Sequence, residues 1–134
     1  MSQALFTSKA RLLLVLGVAV AACWLPSCRG GNSHDVYAVY TGGNWQAGKR
    51  LIVQYRCGAC HMIPGVYNAN GTVGPPLNWF ARRTYIGGEL PNSPENLVRW
   101  LLNPKAVEPG TAMPDLGLNE QQARDIAAYL YTLE

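Results

Sequence analysis

Cys57-Gly58-Ala59-Cys60-His61 is the stretch whose residue types and spacing match one specific chemistry. Two thiols separated by two residues, with an imidazole directly after the second, are what covalent haem attachment needs: the sulfurs add across the two vinyl groups of the porphyrin and the imidazole binds the iron. Gly58 and Ala59 are small enough to let the intervening loop run close to a porphyrin edge. A CxxC pair alone also serves as a redox dithiol or as half of a zinc site, but the first belongs in a βαβ context and the second needs another ligand pair. Neither is present: the other cysteines are Cys23 and Cys28, near the N-terminus, and the other histidine is His34. The motif therefore implies one haem c, attached through Cys57 and Cys60 with His61 on the iron.

An iron held by His61 on one side has a second axial position, and what fills it separates an electron carrier from a haem enzyme. His34 precedes the first helix of the body, Met62 sits beside His61 on the same side of the ring, and Met1 belongs to the leader. Met113 remains, 52 residues beyond His61, within Pro109-Gly110-Thr111-Ala112-Met113-Pro114. The commonest work of a methionine is to fill core space, and that alternative stays open. Against it, this methionine stands on a turn-rich loop and not on a helix face, and a soft thioether suits haem iron and raises its potential.

These residues need elements to position them. Asn44 is a helix cap, and Leu51, Ile52 and Tyr55 recur on one face of a helix that runs into Cys57. From Met62 to Pro76, three glycines and three prolines exclude long regular structure and leave a loop able to wrap one haem face. A short helix is expected over 78–85, ending before Gly87-Gly88. Ser93-Pro94 then opens a helix carrying Leu97, Trp100 and Leu101 inward until Pro104 stops it. After another irregular stretch, Asn119 with Gln122 forms a capping box for a last helix that buries Ala123, Ile126, Ala127 and Leu130. No β alternation or internal repeat interrupts the pattern. The expected fold is all-α, with three main helices plus long haem-wrapping loops.

The 134 residues allow one domain, and the N-terminal part reads as separate from it. Residues 1–22 have the three-part pattern of a signal peptide: Lys9 and Arg11, an apolar run from Leu12 to Ala22, and small residues at its end. Val20-Ala21-Ala22-Cys23 looks like a bacterial lipobox, with Cys23 as the lipid acceptor and Cys28 as the alternative. Ordinary cleavage without lipid, or a disulfide between the two cysteines, are the competing readings. Residues 23–43 read as a linker or tether and 44–134 as the folded domain. Without Lys9 and Arg11 the chain carries nine basic residues against eight acidic ones, a net charge of +1. No basic run or aromatic–basic interleaving points to nucleic acid.

Taken together, CGACH, Gly74-Pro75 with Leu77, the Asn103-Pro104 helix end, the Pro109–Pro114 methionine loop and the terminal Ala128-Tyr129-Leu130 helix resemble the class I, mitochondrial-type c-type cytochromes. The likeness extends to small bacterial monohaem members and to the cytochrome domain fused to cytochrome c oxidase subunit II, and it spans roughly residues 44 to 133. It implies the cytochrome c fold and a set of cofactor contacts. The Pro75 carbonyl would accept a hydrogen bond from the His61 ring, Leu77 would line the haem, and Arg82, Tyr85 and Asn92 would surround a buried propionate, with one of Arg82 and Arg83 pointing inward. Thr111 would also reach a propionate, Met113 would complete the iron's ligands, and Tyr129 would pack on the N-terminal helix. Trp100 replaces the tyrosine that many members place near the methionine sulfur, so packing is its expected role. Lys49 and Lys105 are the domain's lysines, so no lysine ring for docking is expected.

The resemblance further implies an exported carrier of single electrons and not an enzyme. Its partners would be redox proteins: a dehydrogenase or quinol-oxidising complex as donor and an oxidase as acceptor, with the membrane held through the lipid anchor. The competing readings are a dedicated subunit of a larger complex and a haem enzyme or gas sensor with an open iron site.

Overall fold

The computed structural model describes residues 35–134, so the signal segment, Cys23, Cys28 and His34 lie outside the described residues. Among the described residues five helices appear, in the order α1 (Asp35–Thr41), α2 (Trp45–Gln54), α3 (Pro94–Leu102), α4 (Pro104–Val107) and α5 (Glu120–Tyr131). The antiparallel strands β1 (Tyr85–Ile86) and β2 (Leu90–Pro91), paired Tyr85 with Pro91 and Ile86 with Leu90, lie between α2 and α3. The fold is mostly helical, as expected, with α2, α3 and α5 as the main helices.

Local chemistry explains where these three helices begin. Asn44 accepts from the Ala47 amide at 2.8 Å, Ser93 from that of Asn96 at 3.3 Å, and Asn119 from that of Gln122 at 2.9 Å. The Gln122 side chain in turn accepts from the Asn119 amide at 3.0 Å, which completes the capping box. Asn119→Ala should therefore lower stability by about 1 kcal/mol, read as a shift of the urea midpoint at unchanged slope.

The helices meet along a continuous core that includes Ile52, Leu97, Leu101, Ala123, Ile126, Ala127 and Leu130. The closest approach is between α2 and α5. A Cβ built on Gly48 would fall 1.9 Å from the Asp125 carbonyl oxygen, so the two backbones touch only because position 48 has no side chain. Asp125 Oδ1 also accepts from the Asn44 amide at 2.8 Å, pinning the start of α2 to α5.

The structure differs from the sequence reading at four places. Residues 35–41, expected to be the end of a linker, form α1, whose buried Thr41 is fixed by Arg124: Nη1 donates to the Thr41 carbonyl at 3.2 Å. The helix expected over 78–85 is reduced to one 3-10 turn, Phe80–Arg82, because Trp79 takes a left-handed φ of 56° and the chain then extends into β1. Helix α2 stops at Gln54, before the cysteines; Arg56, at φ 55°, turns the chain into a separate 3-10 turn over Cys57–Ala59. Pro104 does not simply end a helix but opens α4, with Asn103 capping it through the Ala106 amide at 3.0 Å.

Candidate cofactor site

A cavity of about 510 Å³ lies inside the helical frame, walled by Ile52 and Tyr55 of α2, Leu97, Trp100 and Leu101 of α3, and Ile126 and Leu130 of α5. That size and mostly apolar lining suit a large flat ligand with few polar groups. Cys57, Cys60 and His61 line it, as do Thr111, Met113 and Leu116 on the loop before α5.

His61 is held in one orientation. Its Nδ1 lies 2.7 Å from the Pro75 carbonyl. A carbonyl only accepts, so Nδ1 is the donor and Nε2 is the nitrogen left to face a metal. The ring is also boxed in: a Cβ on Gly74 would fall 2.3 Å from Cε1 and 2.6 Å from Nδ1. Backbone hydrogen bonds lock this loop, from Gly74 to the Cys60 carbonyl and from Leu77 to the Met62 carbonyl, both at 2.8 Å, and from Gly71 to the Gly58 carbonyl at 3.0 Å.

Cys57 and Cys60 both line the cavity. Burial pushes the Cys57 thiol up to about 11, a backbone hydrogen bond pulls it part of the way back, and the neighbouring Cys60 raises it again. A redox dithiol needs the opposite, a nucleophilic cysteine whose thiolate is stabilised. Cys57 thus sits against the cavity, where an attached group would reach it. Among the described residues no group of three histidine, cysteine or acidic side chains is placed to hold a bare metal ion.

Met113 is half-buried and packs against the core. Its amide donates to the Thr111 hydroxyl at 3.2 Å, which tightens the loop between Pro109 and Pro114. That bond leaves the Thr111 O–H free to donate elsewhere. Leu77 is buried in the wall, while Tyr85 lines the cavity but is 56% exposed.

Two residues expected around a propionate, Arg82 and Asn92, do not line the cavity. Arg82 is exposed and stacks over the Trp79 ring, 4.9 Å from its centroid, outside the cavity. Arg83 lines the cavity instead; its guanidinium donates to the Pro76 carbonyl and, at 3.4 Å, to that of Asn78. Burial moves the Arg83 pKa down from its ordinary value, and it stays a cation. Asn92 is also outside the cavity. Its Nδ2 donates to the Phe80 and Arg83 carbonyls, both at 3.0 Å, and its Oδ1 accepts from the Tyr131 hydroxyl at 2.8 Å. Burial pushes that hydroxyl up to about 12, helped by Glu95, so it remains a donor at neutral pH. Asn92 thus fixes the backbone that carries Arg83.

The two arginines should separate by mutation. Arg83→Ala removes a charged donor from two carbonyls and is expected to destabilise the loaded protein by about 2 kcal/mol, whereas Arg82→Ala should stay within about 0.5 kcal/mol. With a haem in the cavity, losing a cation beside it would favour the more positive, oxidised state, so Arg83→Ala should lower the midpoint potential and Arg82→Ala should barely move it. Thermal melts and potentiometric titration of both variants read this out.

The sequence profile of the family described as Cytochrome c matches residues 45–134. Similar proteins include one called "Cytochrome c oxidase subunit 2" from Alkalihalophilus pseudofirmus, 31% identical over 88 residues, covering 65% of this chain and 25% of the relative. A protein of the same name from Bacillus sp. strain PS3 is 33% identical over 87 residues, covering 62% and 24%. "Cytochrome c-type cyt cy" from Rhodobacter capsulatus is 38% identical over 90 residues, covering 58% and 43%. The chain thus spans less than half the length of each of these relatives, from 24% to 43%.

Proposed function

Because this chain belongs to the cytochrome c family, which implies covalently bound haem c and electron transfer, we propose that it is an exported carrier of single electrons with its haem joined to Cys57 and Cys60 and ligated by His61 and Met113. The observation that carries this is the state of His61. Its Nδ1 is committed to the Pro75 carbonyl, its Nε2 is left as a ligand, and its ring lines the same cavity as both thiols and the Met113 loop. The haem supplies a one-electron iron couple.

The protein's part is to hold and insulate. Pro75 and Gly74 fix the imidazole, Arg83 and Thr111 offer donors for a propionate, and Leu77, Leu97 and Ile126 keep water from the cavity. His61 and Met113 would hold the group from fixed positions, so the protein would have little to rearrange on electron transfer. A Met113 ligand would leave the iron no open position for a substrate, and that supports a carrier over a haem enzyme or gas sensor.

Two relatives are named as oxidase subunits, and this supports a second reading, in which the domain works as the haem-bearing part of a larger oxidase or dehydrogenase complex. The donor would be a dehydrogenase or quinol-oxidising complex and the acceptor an oxidase, met through small, transient contacts. The leader pattern supports export, and Cys23, or Cys28 in its place, supports a lipid anchor that keeps the domain at a membrane.

Acid–acetone extraction tests the attachment: haem should stay with the unmutated chain and leave the double variant Cys57→Ser, Cys60→Ser. A potentiometric titration should then follow a single one-electron curve. High-spin ferric iron in the unmutated protein would overturn the ligand pair. Purification from native membranes separates the free carrier from the complex subunit, which would bring a stoichiometric partner.

A further inference from the structure

Helix α1 lies outside the stretch matched by the family profile, and its two sides are chemically unlike. The inner side is fastened to the domain. Thr41 is 1% exposed, the Tyr37 hydroxyl donates to Glu134, Arg124 donates to the Thr41 carbonyl at 3.2 Å and Gln121 to that of Gly42 at 3.2 Å. The outer side carries Val36, Val39 and Tyr40, spaced i, i+3, i+4 so that they share one face. They are 53%, 86% and 70% exposed. Three apolar side chains on a helix already anchored by its other face contribute nothing to the core, so their exposure calls for an external surface.

We propose that this face of α1 lies on the surface of the membrane to which the N-terminus is anchored. The proposal rests on the lipid-anchor reading. Val36 follows Cys28 by eight residues and Cys23 by thirteen. At roughly 3.5 Å per residue for extended chain, the acceptor cysteine holds α1 within about 28–46 Å of the acyl chains. It is the first described element after the anchor. Valines with a tyrosine, whose ring is apolar and whose hydroxyl stays wet, match the chemistry of the headgroup boundary. No described helix is long and apolar enough to cross a membrane, so the contact is with the surface.

This placement also sets where the cofactor site faces. Gln121 and Arg124 of α5 hold α1, while Ile126 and Leu130 of the same helix line the cavity. At 100° per residue, Ile126 stands about 140° around the helix from Gln121 and about 200° from Arg124. The membrane contact and the cavity therefore lie on opposite sides of α5, leaving the cavity side to partners.

The test uses full-length lipidated holoprotein in phosphatidylcholine–phosphatidylglycerol vesicles, with whichever of Cys23 and Cys28 stays unmodified changed to serine. Single cysteines are placed by Val39→Cys and, as the control, Tyr67→Cys, a residue that is 91% exposed on the loop after His61. Their reaction rates with a charged, membrane-impermeant maleimide are compared with those of the same variants lacking the acceptor cysteine and free in solution. Position 39 should react at least tenfold more slowly on vesicles, position 67 at an unchanged rate, and a photoactivatable phospholipid should cross-link at 39. Equal rates at both positions, or slowing at 39 with cross-links to a second copy of the chain instead of lipid, overturn the proposal and leave the anchor intact. An unlipidated mature N-terminus in the mass spectrum overturns the anchor reading, and this proposal with it.

Discussion

Gly74→Ala is expected to unseat the His61 imidazole and with it the low-spin iron signature of the loaded protein. The added Cβ would land 2.3 Å from Cε1, 2.6 Å from Nδ1 and 2.9 Å from Nε2, all atoms of a ring that cannot give way without losing its 2.7 Å bond to the Pro75 carbonyl. Nor can the loop retreat easily, because the Gly74 amide is bonded to the Cys60 carbonyl at 2.8 Å. Overpacking costs of about 3 kcal/mol follow, or roughly 12–24 °C in Tm for a domain of this size. The ferric spectrum should move toward high spin or toward a mixture of ligation states. Gly110→Ala is the matched control: its Cβ would meet only the flexible end of Glu108, at 3.0 Å, and stability should stay within about 1 kcal/mol of the parent. A Gly74→Ala protein with unchanged spectrum and Tm would show that position 74 does not constrain the ring.

How far the sequence spoke for itself depended on the range of the interactions involved. Asn44, Ser93 and Asn119 cap helices through bonds to amides three residues away, so their roles are legible within one turn of chain. CGACH is legible because covalent attachment demands residues at fixed short spacing. The polar partners are a different case. Whether Arg82 or Arg83 enters the cavity depends on the left-handed turn at Trp79, and a bulky aromatic is among the last residues that sequence rules would place there. One residue of register sends Arg82 to stack on Trp79 and Arg83 to the Pro76 and Asn78 carbonyls. Position 79 itself carries no glycine or asparagine to signal the turn.

Asn92 shows the same limit from another side. Its bonds reach Phe80, Arg83 and Tyr131, up to 39 residues away, so nothing local distinguishes an asparagine facing the cofactor from one bracing the loop behind it. Ile86 and Leu116 in the cavity wall were missed for that reason too: each sits in a stretch without periodicity and is brought in by packing alone. Helix α1 is seven residues long, shorter than the periodic pattern that marks a helix, and is held by Arg124 more than 80 residues later.

Met113→Ala should lower the midpoint potential by an amount on the order of 0.2 V, because the thioether favours ferrous iron and its replacement by water or a stray base does not. Two roles for Met113 have to be separated, since it also packs against the core and lines the cavity. Filling space alone would cost about 2–5 kcal/mol on truncation and leave the iron's electronic state untouched. Ligation predicts more: loss of the sulfur-to-iron charge-transfer band of the ferric protein, a shift toward high spin, and recovery of a low-spin spectrum when imidazole is added to the vacated position. Met62→Ala is the internal control. Met62 stands beside His61 and its backbone carbonyl accepts from the Leu77 amide, but its side chain is 39% exposed and does not line the cavity. It should leave both potential and spectrum unchanged. A Met113→Ala protein that is merely less stable, with its potential and charge-transfer band intact, would return Met113 to the core and put another group, or none, opposite His61. A thioether ligand would also make the carrier reading specific, because a filled sixth position would keep small molecules off the iron.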